Sequence, residues 1–518
     1  NRTIFQHRWS LMRASVIAPV LAFGLAAPAL AEGPLSAIDW LSDSIAQPPM
    51  EGAQTGSDVT TNAAVGQIEV QPLGKPVGDA VGLLPPSATG LPRDLWGRST
   101  TEDIVARLDA VPLDPLPSLR RLLTALLLAE ANPPADSGDD DRLLLARVDR
   151  LLAMGALERA GALLDRAGPE TPERFRRYFD IALLTGSETQ ACARMRARPE
   201  ISPTYPARIF CLARGGDWAA AAVTLETAEA LGILTPAEDR LLVRFLEPEL
   251  AEDVAADTWR APSPLIFRML EAVGEPVPTG PLPLAYAWAD LRPNLGWKAQ
   301  IEAGERLARH GALPANQLAG LYLRQRPSAS GGVWERVDAI QTLQTDLVEG
   351  DLDAVSRDLP DVWRAMKSAG LGPVFAEQYG AELARLALTD KAAQLAFEIG
   401  LLSPSFLSVA AAASPDEARG RFLSAVARGV PDQATARSTL GAAVRAGFLA
   451  DAPPPNLQRL IRDGGTGIAV LRAITLFSEG AEGDPDGVSD AIAVLRAVGL
   501  DRAARQAALE LLIGAHQT

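Results

Sequence analysis

Basic residues are in deficit. The 518-residue chain holds 49 lysines and arginines against 64 acidic residues, for a net charge of −15. A nucleic-acid binder needs a basic footprint, and none is present. Two cysteines and three histidines leave little material for metal or thiol chemistry. His310 sits before Gly311, where a cation suits the end of a helix, while His7 and His516 lie near the two ends of the chain. None of them has a His-x-x-x-His or cysteine partner, so no zinc site is expected. Aromatics make up only 5% of the chain, and its apolar content is mostly Ala and Leu, which favours helix over β-sandwich. Beyond the N-terminal region no apolar run approaches the roughly 20 residues of a membrane span; Leu122–Leu128 is typical. No phosphate loop occurs, since Gly464-Gly465-Thr466-Gly467 lacks the lysine. No Gly-x-Ser-x-Gly elbow or βαβ pattern occurs either. The expectation is a non-enzymatic protein with no cofactor and no metal.

The first 31 residues read as a secretory signal peptide. Arg2, Arg8 and Arg13 precede a mostly apolar run over Ala14–Pro28, and Ala29-Leu30-Ala31 is a small-x-small cleavage site. Cleavage after Ala31 is expected, with Ala29 as the other small residue of the site. Losing three arginines and no acid takes the net charge from −15 to −18. The expected product is an acidic exported protein of a bacterial periplasm with no membrane span.

Residues 32–99 are rich in Pro and Gly, from Pro48 and Pro49 to Gly90 and Pro92. Such a segment offers too little apolar surface to offset its ordering entropy and is expected to be flexible. A short helix is expected near 36–45, where Ile38, Leu41 and Ile45 fall at helical spacing after Ser36. It docks either on its own body or on a partner. Ile68 and Val70 alternate weakly and are compatible with a short strand.

From Glu102 onward, helix follows helix, with Gly, Pro or Asp clusters between them. Thr235-Pro236-Ala237-Glu238 combines an N-cap, a proline at the first helical position and a capping-box glutamate. Ser414-Pro415-Asp416-Glu417 repeats that order, and Thr171-Pro172 and Ser263-Pro264 are partial versions. Gly155, Gly186 and Gly216 are each followed five residues later by an alanine, Ala160, Ala191 and Ala221. A period near 30 residues with a glycine between two helical stretches is that of stacked helical hairpins.

Gly216-Asp217-Trp218-Ala219-Ala220-Ala221, with Leu225 and Ala228 following, resembles the tetratricopeptide-repeat turn. Gly155-Ala156-Leu157 with Ala160, Leu164 and Ala167 is similar to it. Gly350-Asp351-Leu352 echoes it before Pro360 interrupts the second helix, and Gly499-Leu500 with Ala504 is a further candidate. The sequence departs from the family where a small residue early in the first helix is replaced by Arg147 and Arg208, and its period is shorter. The chain as a whole resembles uncharacterised exported helical-repeat proteins of alphaproteobacterial type. The resemblance implies an all-α fold, an α-solenoid of tetratricopeptide-like stacked hairpins with an extended binding face.

In such a stack the helices carrying Cys192 and Cys211 are neighbours, so a disulfide is expected in an oxidising compartment. The alternative is two small buried residues that happen to lie close. Residues 286–336 concentrate aromatics and arginines: Tyr286, Trp288, Arg292, Trp297, Arg324, Arg326, Trp334 and Arg336. Trp, Tyr and Arg dominate binding hot spots, so this cluster is the candidate partner-binding site. Alternatively the tryptophans fill gaps between helices. Glu482–Asp490 resembles the start of a calcium loop, but Ala493 stands where a bidentate glutamate is needed. That acidic run and Asp136 to Asp141 are expected to be loops and helix-capping charges.

The expected divisions are a signal peptide (1–31), a flexible segment (32–99), tetratricopeptide-like repeats (100–260), a helical middle region (261–375) and a C-terminal helical region (376–518). The expected role is a periplasmic scaffold or adaptor holding a protein or peptide partner of the cell envelope. The alternative is a cell-wall-active enzyme of the superhelical lytic transglycosylase type. That enzyme also needs a compact catalytic domain with a glutamic acid, which the Ala/Leu-rich C-terminal region does not suggest.

Overall fold

The structure, a computed structural model, describes residues 78–249, 259–433 and 436–514, all within one compact unit spanning Ser36–Thr518. The expected signal peptide with Ala29 and Ala31, the short helix near 36–45 and the strand near 66–70 lie outside the described residues. Among those described there is no strand, only one bridge between Leu84 and Ala129. The fold is all-α, as expected.

Helices of seven or more residues are numbered in chain order. They begin with α1 (Thr101–Ala110), α2 (Pro117–Leu128), α3 (Arg142–Ala153), α4 (Leu157–Ala167), α5 (Pro172–Thr185), α6 (Glu188–Ala197), α7 (Tyr205–Arg214), α8 (Trp218–Ala230) and α9 (Pro236–Leu246). The middle holds α10 (Pro264–Ala272), α11 (Trp297–Arg309), α12 (Ala315–Tyr322), α13 (Val333–Glu349), α14 (Leu352–Ser368) and α15 (Gly372–Leu383). The last are α16 (Asp390–Leu402), α17 (Phe406–Ala412), α18 (Ala418–Arg428), α19 (Thr439–Leu449), α20 (Pro455–Arg462), α21 (Thr466–Glu482), α22 (Pro485–Ala497) and α23 (Asp501–Gly514).

The glycine period marks hairpins. Gly155, Gly186 and Gly216 have φ of 71°, 80° and 84°, the left-handed turn between α3 and α4, α5 and α6, and α7 and α8. A side chain at such a position is strained, and glycine is not. The second helices begin at Leu157, Glu188 and Trp218, and Ala160, Ala191 and Ala221 are fully buried where the paired helices meet. Enlarging Ala221 to Leu is expected to overpack that crossing and cost roughly 1–3 kcal/mol in urea unfolding. Ala219, exposed on the same helix, is expected to accept Leu within about 0.5 kcal/mol. Equal losses at both positions would break the link between the repeat and the packing.

Caps follow the local grammar at three of the four Pro-bearing starts. Thr235 and Glu238 form a reciprocal capping box, and Thr171 and Ser263 each accept from the backbone N–H three residues on. The fourth differs: α18 starts at Ala418 rather than at Pro415. Pro415 lies instead over Gly420, where an added Cβ would come within 2.7 Å of it. Pro360 also departs from expectation. Helix α14 runs through it, held by Val355, Leu359, Val362, Trp363 and Met366, all buried on one stripe. Burial of that stripe outweighs the roughly 3 kcal/mol that an interior proline costs.

The flexible segment expected over 32–99 does not extend to residue 99. From Gly78 the chain is packed, with Val81, Leu91, Leu95 and Trp96 in the core. Backbone bonds from Leu83 and Leu84 N–H to the Leu128 carbonyl and from Asn132 N–H to the Arg93 carbonyl hold it, together with Arg147, one of the two residues that depart from the repeat pattern. Its buried guanidinium donates to the carbonyls of Val81 (2.8 Å), Leu127 (2.7 Å) and Ala129 (3.1 Å). Backbone that composition marks as unable to order itself is thereby given hydrogen-bond partners. Arg208, the other departure, is exposed.

The ends of the described chain meet. Helix α2 packs on α23, and α1 and α2 pack on α21. Gly467 N–H donates to the Leu95 carbonyl at 2.7 Å, and Gly97 lies against Gly464 backbone. In an open array each repeat touches only its neighbours; here the first helices also touch the last. One apolar cluster runs from Val81 to Ile513.

Candidate functional site

The turn ends of the first hairpins are covered by the chain after α10. Trp288 Nε1 donates to the Gly155 carbonyl at 2.7 Å, and Gly155 also lies against Leu284, which leaves no room there for a Cβ. Helix α10 and the turn Ala287–Asp290 pack on α5. Between α4, α5, the start of α6 and Trp288–Pro293 lies an open cleft of about 550 Å3. Leu157, Ala162, Ile181 and Leu291 supply apolar surface; Glu158, Asp165, Tyr178, Gln190 and Arg292 supply polar groups. The Arg194 guanidinium lies 4.6 Å from the centre of the Tyr178 ring and 3.1 Å from Asp165. Burial and the Asp165 carboxylate push the Tyr178 hydroxyl up from its usual pKa, so it stays a neutral donor. The cleft can hold an extended apolar group together with a hydrogen-bonding one.

The eight aromatic and arginine candidates divide between core and surface. Tyr286 is fully buried, its hydroxyl donating to the Pro262 carbonyl and its ring edge-on to Phe267. Trp288 is 8% exposed and reaches the cleft wall. Arg292 lines the cleft and is held by the Glu271 carboxylate at 2.7 Å. The other tryptophans pair elsewhere: the Trp297 and Trp334 rings are 4.9 Å apart, and Trp297 Nε1 donates to the Leu321 carbonyl. Arg336 grips buried Glu305 through both carboxylate oxygens, at 2.8 and 2.6 Å, and Tyr322 donates to the same group. Arg324 and Arg326 are exposed, and Arg324 donates to Gln300. Gap-filling therefore accounts for Tyr286, Trp297 and Trp334, whereas Trp288 and Arg292 face the cleft.

Cys192 on α6 and Cys211 on α7 are at disulfide distance, their sulfurs 1.98 Å and their Cα atoms 5.0 Å apart. Both are buried, and closing a loop of 19 residues stabilises by roughly 3 kcal/mol in the chain-entropy account. The bond ties the second hairpin to the third. Nearby, buried Glu188 takes Arg214 and Arg268, each at 2.9 Å, so an ion cluster joins α6, α7 and α10.

Of the acidic runs, Asp136 takes the first N–H of α1, whereas neither Asp141 nor Asp484 makes a side-chain cap hydrogen bond. Asp136 accepts from the Thr101 N–H at 2.9 Å, and Asp141 pairs with Arg174 at 2.5 Å. Glu482–Asp490 spans the turn between α21 and α22. His310 ends α11 with Nδ1 3.2 Å from Asp114. Among the described residues, no group of three or more His, Cys, Asp and Glu is placed to hold a metal ion. None of their helices is long and apolar enough to cross a membrane.

Two buried groups were not legible as important in the sequence. Asp180 is 8% exposed, and burial pushes its carboxyl up to about 7 against the pull of Arg176 and Arg177. Glu188 looks like an ordinary helix-start acid. Neither lies in a motif; only Arg147, standing where the repeat pattern asks for a small residue, carried a signal.

Fold and cleft together define a class: an all-helical protein built in part from glycine-turn hairpins, with an open cleft at their turn ends. No protein-family model, curated protein or solved structure matches the chain.

Proposed function

We propose that this chain is an exported, non-enzymatic helical-repeat scaffold or adaptor that binds a protein or peptide of the cell envelope in the periplasm. The carrying observation is the cleft against α4 and α5, where Trp288 and Arg292 stand in the wall beside Tyr178. A rigid apolar floor with a few oriented polar groups suits a peptide segment, and Trp, Tyr and Arg are the side chains that supply most binding energy. The tetratricopeptide-like, solenoid reading is supported by the three hairpins and their matched glycines and alanines. Export is supported by the basic start, the apolar run and Ala29-Leu30-Ala31.

The test is in-cell photocrosslinking. A photoreactive residue at Gln190, on the cleft rim, is expected to trap one stoichiometric envelope partner, and intact mass from the periplasmic fraction is expected to begin at Glu32. Turnover in a muropeptide-release assay would replace this reading with the enzymatic one. A cytoplasmic protein retaining residues 1–31 would remove the compartment.

A further inference from the structure

The three hairpins differ in what their second helices turn outward. On α4 the outward positions carry Glu158, Ala162, Asp165 and Arg166; on α6 they carry Thr189, Gln190, Ala193 and Arg196. Glu158, Asp165 and Gln190 belong to the cleft already described, and the only exposed apolar residues on these two faces are alanines. On α8 the matching positions carry Ala219 and Val223, and a turn further on Ala230. Val223 is 61% exposed, and Leu231 beyond the helix end is also 61% exposed. The core-facing stripe of α8 is Ala221, Leu225 and Ala228; the opposite stripe, Ala219, Val223, Glu226 and Ala230, is apolar apart from Glu226. Helix α9 packs against α8 but leaves Val223 and Leu231 exposed. It takes one flank, where the Trp218 and Phe245 rings meet at a tilt with centres 6.4 Å apart. A helix that is apolar on two faces normally has something on both.

The charges on this face are carboxylates, with exposed Arg214 and Arg240 at the two edges of the segment. From Gly215 to Asp239 the chain has five carboxylates, Asp217, Glu226, Glu229, Glu238 and Asp239, and no lysine, arginine or histidine. Glu229 lies against Asp239; partial burial, that neighbour and Glu226 all push the Glu229 carboxyl upward. Asp239 Oδ1 is shielded from water and has no hydrogen-bond partner among the described residues. Like charges crowded in this way repel, and an approaching cation relieves that repulsion.

We propose that the outward face of α8, Ala219, Val223 and Ala230 flanked by Glu226 and Glu229, docks a basic amphipathic helix of a partner protein. Small residues let a partner helix approach closely, its apolar stripe meets Val223 and Leu231, and its flanking lysines or arginines meet the carboxylates. An anionic lipid surface is disfavoured by the same charges. So is a second copy of this chain, because two α8 faces brought together oppose Glu226 and Glu229 to their own kind. The surface is separate from the Tyr178–Trp288 cleft and stands whether or not that cleft takes a ligand; two distinct faces are what an adaptor uses.

The test uses the full chain and a fluorescent 18-residue synthetic helix, leucine and alanine on one face and lysine on both flanks. Anisotropy is expected to show saturable binding that weakens as salt is raised. Val223→Lys is expected to weaken it at least about tenfold. Gln190→Lys, on the cleft rim, is expected to leave it unchanged. The same peptide with glutamate in place of lysine is expected not to bind. Unchanged melting of the Val223→Lys chain checks its fold. Absence of binding, equal binding by the Val223→Lys chain, or crosslinks that map to Tyr178 and Trp288 would each overturn the proposal. A dimer of the full chain that Val223→Lys converts to monomer would overturn it in favour of self-association, and binding to anionic vesicles lost in the same variant would overturn it in favour of lipid. Loss of the Gln190 crosslink alone would remove the cleft reading and leave this one standing.

Discussion

Arg147→Ala is expected to destabilise the protein by roughly 3–5 kcal/mol and to free the chain ahead of α1. Arg147 is 2% exposed on α3, with no water to replace what it donates. Its Nε and both Nη atoms reach the backbone carbonyls of Leu127, Val81 and Ala129 at 2.7–3.1 Å, with Asp79 O at 3.4 Å. Burial pulls its pKa down to about 10, against the Asp79 carboxylate, so it remains a cation at neutral pH. Alanine would leave these acceptors without a donor and a cavity beside them. Asp79, 1% exposed, would keep its own donors, Leu144 N–H at 2.8 Å and Ser137 Oγ at 2.6 Å, but lose the neighbouring cation. Lysine is not expected to rescue, since a single ammonium cannot present the planar fork to carbonyls on several sides. Urea unfolding gives the magnitude. Limited proteolysis gives the place, with new cleavage expected within 78–99. A loss under about 1 kcal/mol would mean that the guanidinium merely fills space.

Glu510→Ala is expected to cost roughly 2–4 kcal/mol and to open the contact between the first helices and the last. Helix α2 starts at Pro117 after Leu116, which provides no side-chain cap. Glu510, on α23, supplies one across 392 residues of sequence: its Oε2 accepts from Ser118 N–H at 2.9 Å and Ser118 Oγ at 2.7 Å, while Oε1 takes Arg121 at 3.2 Å. An anion at a helix N-terminus meets both an orphan N–H and the positive end of the helix dipole. Burial raises the Glu510 pKa despite Arg121 and the Ser118 donors, so the charge itself is held at a cost. Glu510→Gln, which keeps an acceptor for Ser118 without the charge, is therefore expected to lose less than Glu510→Ala. Hydrogen exchange at Ser118 and Leu119 reports the local opening. If exchange there is unchanged in Glu510→Ala, the ends are joined by apolar packing alone.

These two variants separate what neighbouring residues specify from what distant ones do. The hairpins at Gly155, Gly186 and Gly216 were legible because their causes are local. A left-handed turn requires glycine within one residue, and a close helix crossing requires a small side chain five positions on. The caps at Thr171, Thr235 and Ser263 were legible for the same reason, since acceptor and donor lie within three residues. The closeness of Cys192 and Cys211 followed from the hairpin register. The candidate site was legible only in part. Composition singled out Trp288 and Arg292, but it also singled out Tyr286, Trp297 and Trp334, which lie in packed or paired positions, because aromatic residues serve cores and binding faces alike.

The sequence by itself determined an all-helical chain, its hairpin turns, the starts of their second helices and the closeness of its two cysteines. All of these rest on interactions between residues close along the chain or one helix away. Only the tertiary structure decided that residues 78–99 are packed, that α14 continues through Pro360, that Pro415 serves packing rather than a helix start, and that α23 caps α2. Each of these outcomes depends on a partner that no local pattern names: Arg147 for a Pro/Gly-rich backbone, a buried stripe for a proline, Gly420 for Pro415 and Glu510 for an uncapped helix. A long-range contact satisfies groups that local rules leave unsatisfied, and its partner is set by how the whole core closes.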